Sequence, residues 1–274
     1  MKPTPKSPRD SRGSERRPPA RRVSERRRIE PDRRPALQFL SPLLAFGAHP
    51  DDIEFGCGGV IAKETRAGRK AHFAICSRGE AASHGTPGQR VAEAKKSAAL
   101  LGATVEFVEL DGDAHLEVRA THAIKLAGII RRVRPGIVVA PSLVENQHPD
   151  HPRLGQLVRD ACRLARYGGV EELRRLPPHP IEQLFYYAIT VEAEPADITP
   201  VLVDVSAPAI LKAWTFAMEA HASQAAVRNY VELQLTRARL RGLRAGAGHA
   251  IALFPNDPLV LDSLAAVSRG ARRF

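Results

Sequence analysis

Residues 44–52 read "LAFGAHPDD": an apolar run, a small turn, then a histidine, a proline and two aspartates. The apolar part belongs to a segment, "PLLAFGA" (42–48), that reads as a buried strand, and the polar part stands at its carboxyl end. Adjacent carboxylates repel, and burying them unpaired is expensive. A cation resolves that conflict, so the stretch calls for further ligands elsewhere in the chain.

Outward from this strand, short apolar runs alternate with helical periodicity. "GCGGVIAKETRAG" (56–68) reads as a glycine-opened helix, "KAHFAIC" (70–76) as a strand, and "TPGQRVAEAKKSAALLG" (86–102) as a helix with Pro87 near its first turn. "TVEFVEL" (104–110), "RATHAIKLAGIIRRVRP" (119–135) and "GIVVAPS" (136–142) continue as strand, helix and strand. A helix starts near Pro152, strands follow at 180–189 and 200–206, and helices near 207–225 and 227–244 end the expected fold. Near-continuous apolar strands separated by helices predict an α/β domain, a Rossmann-like, doubly wound and mostly parallel sheet with helices on both faces and C-terminal strand and helix additions. The expected division is a disordered basic tail, 1–38, and one domain, 39–274.

A second polar cluster, "QHPDH" (147–151), leaves the fourth strand. In a Rossmann-like order, strands one and four lie side by side where the winding reverses, and ligands bind beyond their carboxyl ends. The two clusters therefore converge. A lone "HPD" is usually a turn with a capping aspartate, but two such clusters at adjacent strand ends point to a metal site.

His49, Asp52 and His151 supply two imidazoles and a carboxylate, which suit a zinc-type ion and leave a position for water. Asp51 is then available as general base, His148 as donor to an oxyanion, and Asp150 as the carboxylate that holds an imidazole in its tautomer. This set describes metal-assisted hydrolysis of an acyl bond. "GCGG" (56–59) does not match a dinucleotide fingerprint and reads as a place of close helix packing.

Composition narrows the alternatives. Of the formal charge of +11, a net +8 falls in residues 1–35, which hold 13 of the 41 Lys and Arg and 5 of the 30 Asp and Glu. That arm has no aromatic residue for base stacking, so a solvated tail is expected, with nucleic acid bound at most weakly. The remaining chain carries only +3. No apolar stretch approaches the roughly 20 residues of a membrane span, and the first residues lack the apolar block of a secretory signal, so a cytoplasmic protein without membrane contact is expected. Three cysteines without CxxC spacing read as reduced buried thiols.

"LAFGAHPDDIEFGCGG", "SRGEAASHGTPGQRVAEAKKSAALLGA" and "ENQHPDH" together resemble the PIG-L/LmbE-like zinc-dependent deacetylases, over roughly residues 40–265. "PPHPIEQLFYYAI", "LVDVS", "AHASQ" and "NYVELQLTRARLRG" bring the chain closest to the bacillithiol-pathway branch, which acts on GlcNAc-malate. The resemblance implies an N-acetyl group removed from a small GlcNAc-type amino-sugar conjugate, one Zn2+ per chain on His49, Asp52 and His151, and Asp51 as base. It also implies His148 as oxyanion partner, Asp150 as its orienting carboxylate, Tyr230 as a substrate-contacting tyrosine, and a homo-oligomer, trimer or hexamer. Pro180 and His249-Ala250-Ile251 depart from the family pattern, at positions where substrate or a neighbouring subunit would be contacted. Other readings are a zinc amidase on another acylated amine, such as a thiol-sugar conjugate or antibiotic precursor, and a basic nucleic-acid-binding protein with a structural metal.

Overall fold

The structure, a computed structural model, describes residues 40–145, 148–225, 229–267 and 269–271. The basic tail expected over 1–38 lies outside the described residues. Seven strands form one sheet in the order β3-β2-β1-β4-β5-β7-β6. They are β1 (Leu43–Gly47), β2 (Ala71–Ile75), β3 (Ala103–Phe107), β4 (Ile137–Pro141), β5 (Gln183–Tyr187), β6 (Val201–Asp204) and β7 (Ala250–Pro255). The first five are mutually parallel. β7 runs antiparallel between β5 and β6.

Alternate residues of these strands feed two separate cores, because successive side chains point to opposite faces. On one face Leu44, Phe46, Val138 and Ala140 meet helices α3 (Ala120–Val133) and α4 (Asp150–Arg166). On the other, Leu43, Ala45, Phe73 and Val139 meet α1 (Asp52–Arg66), α2 (Pro87–Leu100) and α5 (Pro208–Glu219). Two-sided burial is why the strands read as unbroken apolar runs. Short α6 (Ala222–Ala225) and α7 (Tyr230–Arg244) follow.

The expected sheet, its doubly wound order and the adjacency of β1 and β4 are all present; Leu43 pairs with Ile137 and Ala45 with Val139. Three readings are corrected. The chain does not end on helices, since β7 follows them as a fully buried strand through Phe254. The first helix starts at Asp52 rather than Gly56, so the second aspartate of the opening motif lies in its first turn. Residues 207–225 are not one helix: α5 stops at Glu219, and His221 turns inward before α6.

The glycines of "GCGG" sit inside α1 and permit the close packing expected of them. A Cβ on Gly56 would overlap the Tyr187 ring, and one on Gly58 would come within 2.8 Å of Trp214 Cδ1. The helix that carries the site is thereby pressed onto β5 and α5. Pro180 precedes β5, where His179 binds Pro135 O just before β4. That is the amino-terminal end of the parallel strands, opposite the end that bears the two polar clusters, so Pro180 does not line this chain's own cleft. Ala250 and Ile251 are core residues of β7.

Candidate metal centre and active site

The carboxyl ends of β1 and β4 bring the two polar clusters together. His49 and His151 are buried, their ring centroids 5.2 Å apart, and His148 is half-buried with its ring 4.2 Å from His49. His151 lies in the first turn of α4 and Asp52 in the first turn of α1, so two helix starts aim their side chains into one cleft.

Asp52 is the hub. Its Oδ2 accepts the amides of Ala48 at 2.8 Å and His49 at 2.9 Å, which fixes the carboxylate in the turn. Oδ2 is also 3.5 Å from His49 Nδ1, and Oδ1 is 3.1 Å from His151 Nε2. Burial alone would push this carboxyl up; His151 and then His49 outweigh it, and the group sits well below the usual carboxylate range. An ionised carboxylate facing two imidazole nitrogens offers donor atoms of the kind that zinc-type ions take.

The far side of His49 faces carboxylates. Its Nε2 is 3.1 Å from Asp113 Oδ1 and 3.3 Å from Asp150 Oδ2. With a metal bound, a proton held on Nε2 by these groups would leave Nδ1 free to ligate it beside Asp52, as in a carboxylate–histidine–metal triad. Burial opposes the imidazolium, yet Asp52, Asp113 and Asp150 together hold His49 well above its ordinary value. Such a surplus of buried negative charge fits a bound cation. Among the described residues, buried Nδ1 of His151 and Oδ1 of Asp150 have no hydrogen-bond partner. His49, His148 and His151, and separately His49, Asp113, His148 and Asp150, each bring candidate ligand atoms within 4.8 Å of one another, so the cluster can hold a metal ion.

Asp51 stands beside this set. Its backbone has φ 114°, a costly conformation for a residue with a Cβ. Its carbonyl accepts the Phe55 amide at 3.0 Å, and its carboxylate accepts Arg90 Nη2 at 3.2 Å. The same guanidinium nitrogen holds Pro50 O at 2.8 Å. Burial pushes the Asp51 carboxyl up to about 6, against the lowering effect of Arg90 and with help from Asp52.

His148 accepts the Asp150 amide on Nδ1 at 3.3 Å, so its proton is on Nε2. That nitrogen is 3.5 Å from Asp113 Oδ1. Burial first, then the charges of His49 and His151, lower its pKa, so it is a neutral donor at neutral pH. Asp113 and Asp150 both lie near His148, and the charge of each acts on its ring. Asp150 also reaches His49 through Oδ2, which accepts the Ala114 amide at 2.8 Å. Tyr230 opens α7 with its ring 5.7 Å from Phe55, one turn along α1 from Asp52.

Asp113 and Arg90, both buried, are the site groups that the motif reading missed. Arg90 reaches the cleft because residue 79 is glycine: a Cβ there would lie within 2.8 Å of Arg90 Cδ. Gly79 also has φ 73°.

Comparison with known proteins bears on what this centre is. The model of the family described as PIG-L, GlcNAc-PI de-N-acetylase, matches residues 44–162, which hold every His and Asp of the cluster. A conserved protein of Thermus thermophilus is 30% identical, with a TM-score of 0.71 over 81% of this chain and 97% of that one. This chain belongs to the PIG-L family. Among its relatives, the diacetylchitobiose deacetylase of Thermococcus kodakarensis is 31% identical over 54% of this chain and 60% of that protein. The 4-oxalmesaconate hydratase of Pseudomonas putida is likewise 31% identical, over 49% of this chain and 58% of that protein. The matches thus span about three fifths of these two relatives. No helix among the described residues is long and apolar enough to cross a membrane.

Proposed function

We propose that the protein is a zinc-dependent deacetylase that removes an N-acetyl group from a small GlcNAc-type conjugate. The observation that carries this reading is Asp51: a carboxylate beside the donor set, outside it, with its pKa near 6, the range suited to a general base at neutral pH. The name of the Thermococcus relative supports the acetylated amino-sugar class. His49 Nδ1, Asp52 and His151 Nε2 would hold the ion. Zinc there supplies Lewis acidity and brings the pKa of a water toward neutrality.

The chain's own groups divide the remaining work. Asp51 takes the proton of the attacking water, and Arg90 fixes the carboxylate that receives it. His148 Nε2–H donates to the oxygen that gains charge when the acetyl carbonyl is attacked. Asp150 and Asp113 keep His49 in the tautomer whose Nδ1 is free. The proton on Asp51 is then positioned to pass to the departing amine, leaving acetate and a free amino sugar.

A second reading is hydration of an unsaturated acid, favoured by the equal identity to the Pseudomonas hydratase. One assay separates the two. Acetate release from a panel of GlcNAc conjugates, GlcNAc-malate included, is measured with and without a chelator, alongside loss of ultraviolet absorbance from unsaturated dicarboxylates. Chelator-sensitive acetate release is expected, and absorbance loss without acetate release overturns the deacetylase reading.

A further inference from the structure

The segment "AHASQ" (220–224) contributes nothing to the metal cluster, yet it is tied to the elements around it at three points. The chain breaks its helix at His221 and turns the imidazole inward, where Nε2 lies 3.3 Å from Glu54 Oε1. Ser223 donates its amide and its hydroxyl to Glu93 of α2, at 3.0 and 2.7 Å. Gln224 Nε2 donates to His84 O at 2.8 Å, in the loop that follows β2.

The first tie is the unusual one. Glu54 is 0% exposed and His221 1%. Among the described residues, neither oxygen of the Glu54 carboxylate has a hydrogen bond, and His221 is its ion-pair partner. A buried pair of this kind is a weak stabiliser, because two apolar side chains of similar volume avoid the desolvation it suffers. Its position gives it another use. Glu54 is three residues after Asp51 in the first turn of α1, and the next residue, Phe55, donates its amide to the Asp51 carbonyl. Trp214 of α5 donates Nε1–H to Glu54 O at 2.7 Å, so the main chain of that turn is held from the same side. The charge of Asp51 also acts on His221.

We propose that Glu54 and His221 are positioning residues for Asp51, a buried brace that bolts the first turn of α1 to the α5–α6 corner and keeps the strained Asp51 backbone in its reactive place. A residue held at φ 114° relaxes unless its surroundings over-determine it. Arg90 fixes the Asp51 side chain from α2. The brace fixes the backbone from the other direction. The proposal rests on Asp51 as the base.

The test uses Glu54→Gln, His221→Gln and the double variant in the full chain. It records kcat, KM, metal per chain, Tm and hydrogen exchange at the amides of residues 52–55. Each single variant is expected to lose about tenfold in kcat, the scale of a small misplacement of a reacting group. KM and metal content should stay within about twofold of wild type. The double variant should be no worse than the singles, because both remove one device. Exchange at 52–55 should quicken while the amides of β4 keep their rates. Wild-type kcat in both singles, a loss that follows metal content, or unchanged exchange at 52–55 overturns the brace. If the wild type turns over no acetylated conjugate, the proposed function falls, and quickened exchange at 52–55 still carries the brace.

Discussion

Asp113 Oδ1 stands 3.1 Å from His49 Nε2, although the two residues come from different strand ends. It is also 3.5 Å from His148 Nε2, so one carboxylate serves a metal-type imidazole and an oxyanion donor at once. Its other oxygen accepts the Ala81 amide at 3.2 Å, which ties the loop after β2 into the same arrangement. Burial would raise this carboxyl, and His49, followed by His148, draws it below its ordinary value.

Asp113→Asn preserves shape and removes that charge. Outer carboxylates on metal-ligating histidines are worth about 10–100-fold in metal affinity or activity. A loss of that size is expected in kcat/KM, with metal affinity falling as well, because one of the two carboxylates that hold the His49 tautomer is lost and Asp150 alone remains. Metal titration and steady-state kinetics on the same preparation check this.

Arg90 gives a pH signature. The Asp51 carboxyl is raised by burial and by Asp52 and lowered by Arg90. A general base works only when ionised, so kcat/KM falls as pH drops through the Asp51 pKa. Arg90→Gln removes the lowering influence, so the acid limb of the profile should move to higher pH. A limb that stays in place or moves to lower pH excludes Asp51 as the titrating base.

Much of this is legible in the sequence because its causes are local. Buried parallel strands write themselves as apolar runs, and the two His-Pro-Asp turns mark the strand ends where the sheet reverses. β7 escapes a sequence reading because an apolar six-residue run, "AIALFP", has no period of its own and acquires its partners, β5 and β6, from far along the chain. Arg90 reads as an ordinary helix residue; only the missing side chain at Gly79 turns it into the site. Asp113 stands in "DGDAHLE", a loop without motif spacing, and only the folded chain brings it to His49 and the Ala81 amide. Asp150 reads from the residues as a carboxylate that holds an imidazole, and the resemblance makes that imidazole His148. In three dimensions the start of α4 carries its carboxylate to His49 as well, while its charge still acts on His148.

The glycines of α1 yield a stability prediction separate from catalysis. Gly56→Ala places a methyl group into the Tyr187 ring, whose hydroxyl is anchored to Phe46 O at 2.8 Å and cannot swing away freely. Overpacking of this kind costs about 1–3 kcal/mol. For a domain of this size that is a fall of roughly 2–4 °C in Tm per kcal/mol. Gly88→Ala on exposed α2, where no atom lies within 4 Å of the added Cβ, should leave Tm nearly unchanged. Calorimetry of the two variants compares them directly.

The two aspartates of the opening motif separate catalysis from metal storage. Asp52 faces His49 Nδ1 and His151 Nε2, whereas Asp51 faces Arg90. Asp51→Asn keeps volume and leaves the donor set intact but cannot accept a proton. Metal should stay bound, and turnover should fall by about 10²–10⁴, the usual contribution of a positioned acid or base. That loss belongs in kcat more than in KM, since the group acts in the transition state. Asp52→Asn should instead release metal, because an amide is a poorer ligand than a carboxylate and two imidazoles alone hold the ion weakly. Excess zinc should then restore part of the activity of Asp52→Asn and none of that of Asp51→Asn. Rescue of both variants by zinc, or near-full turnover by Asp51→Asn, would mean that the donor and the base have been assigned to the wrong carboxylates.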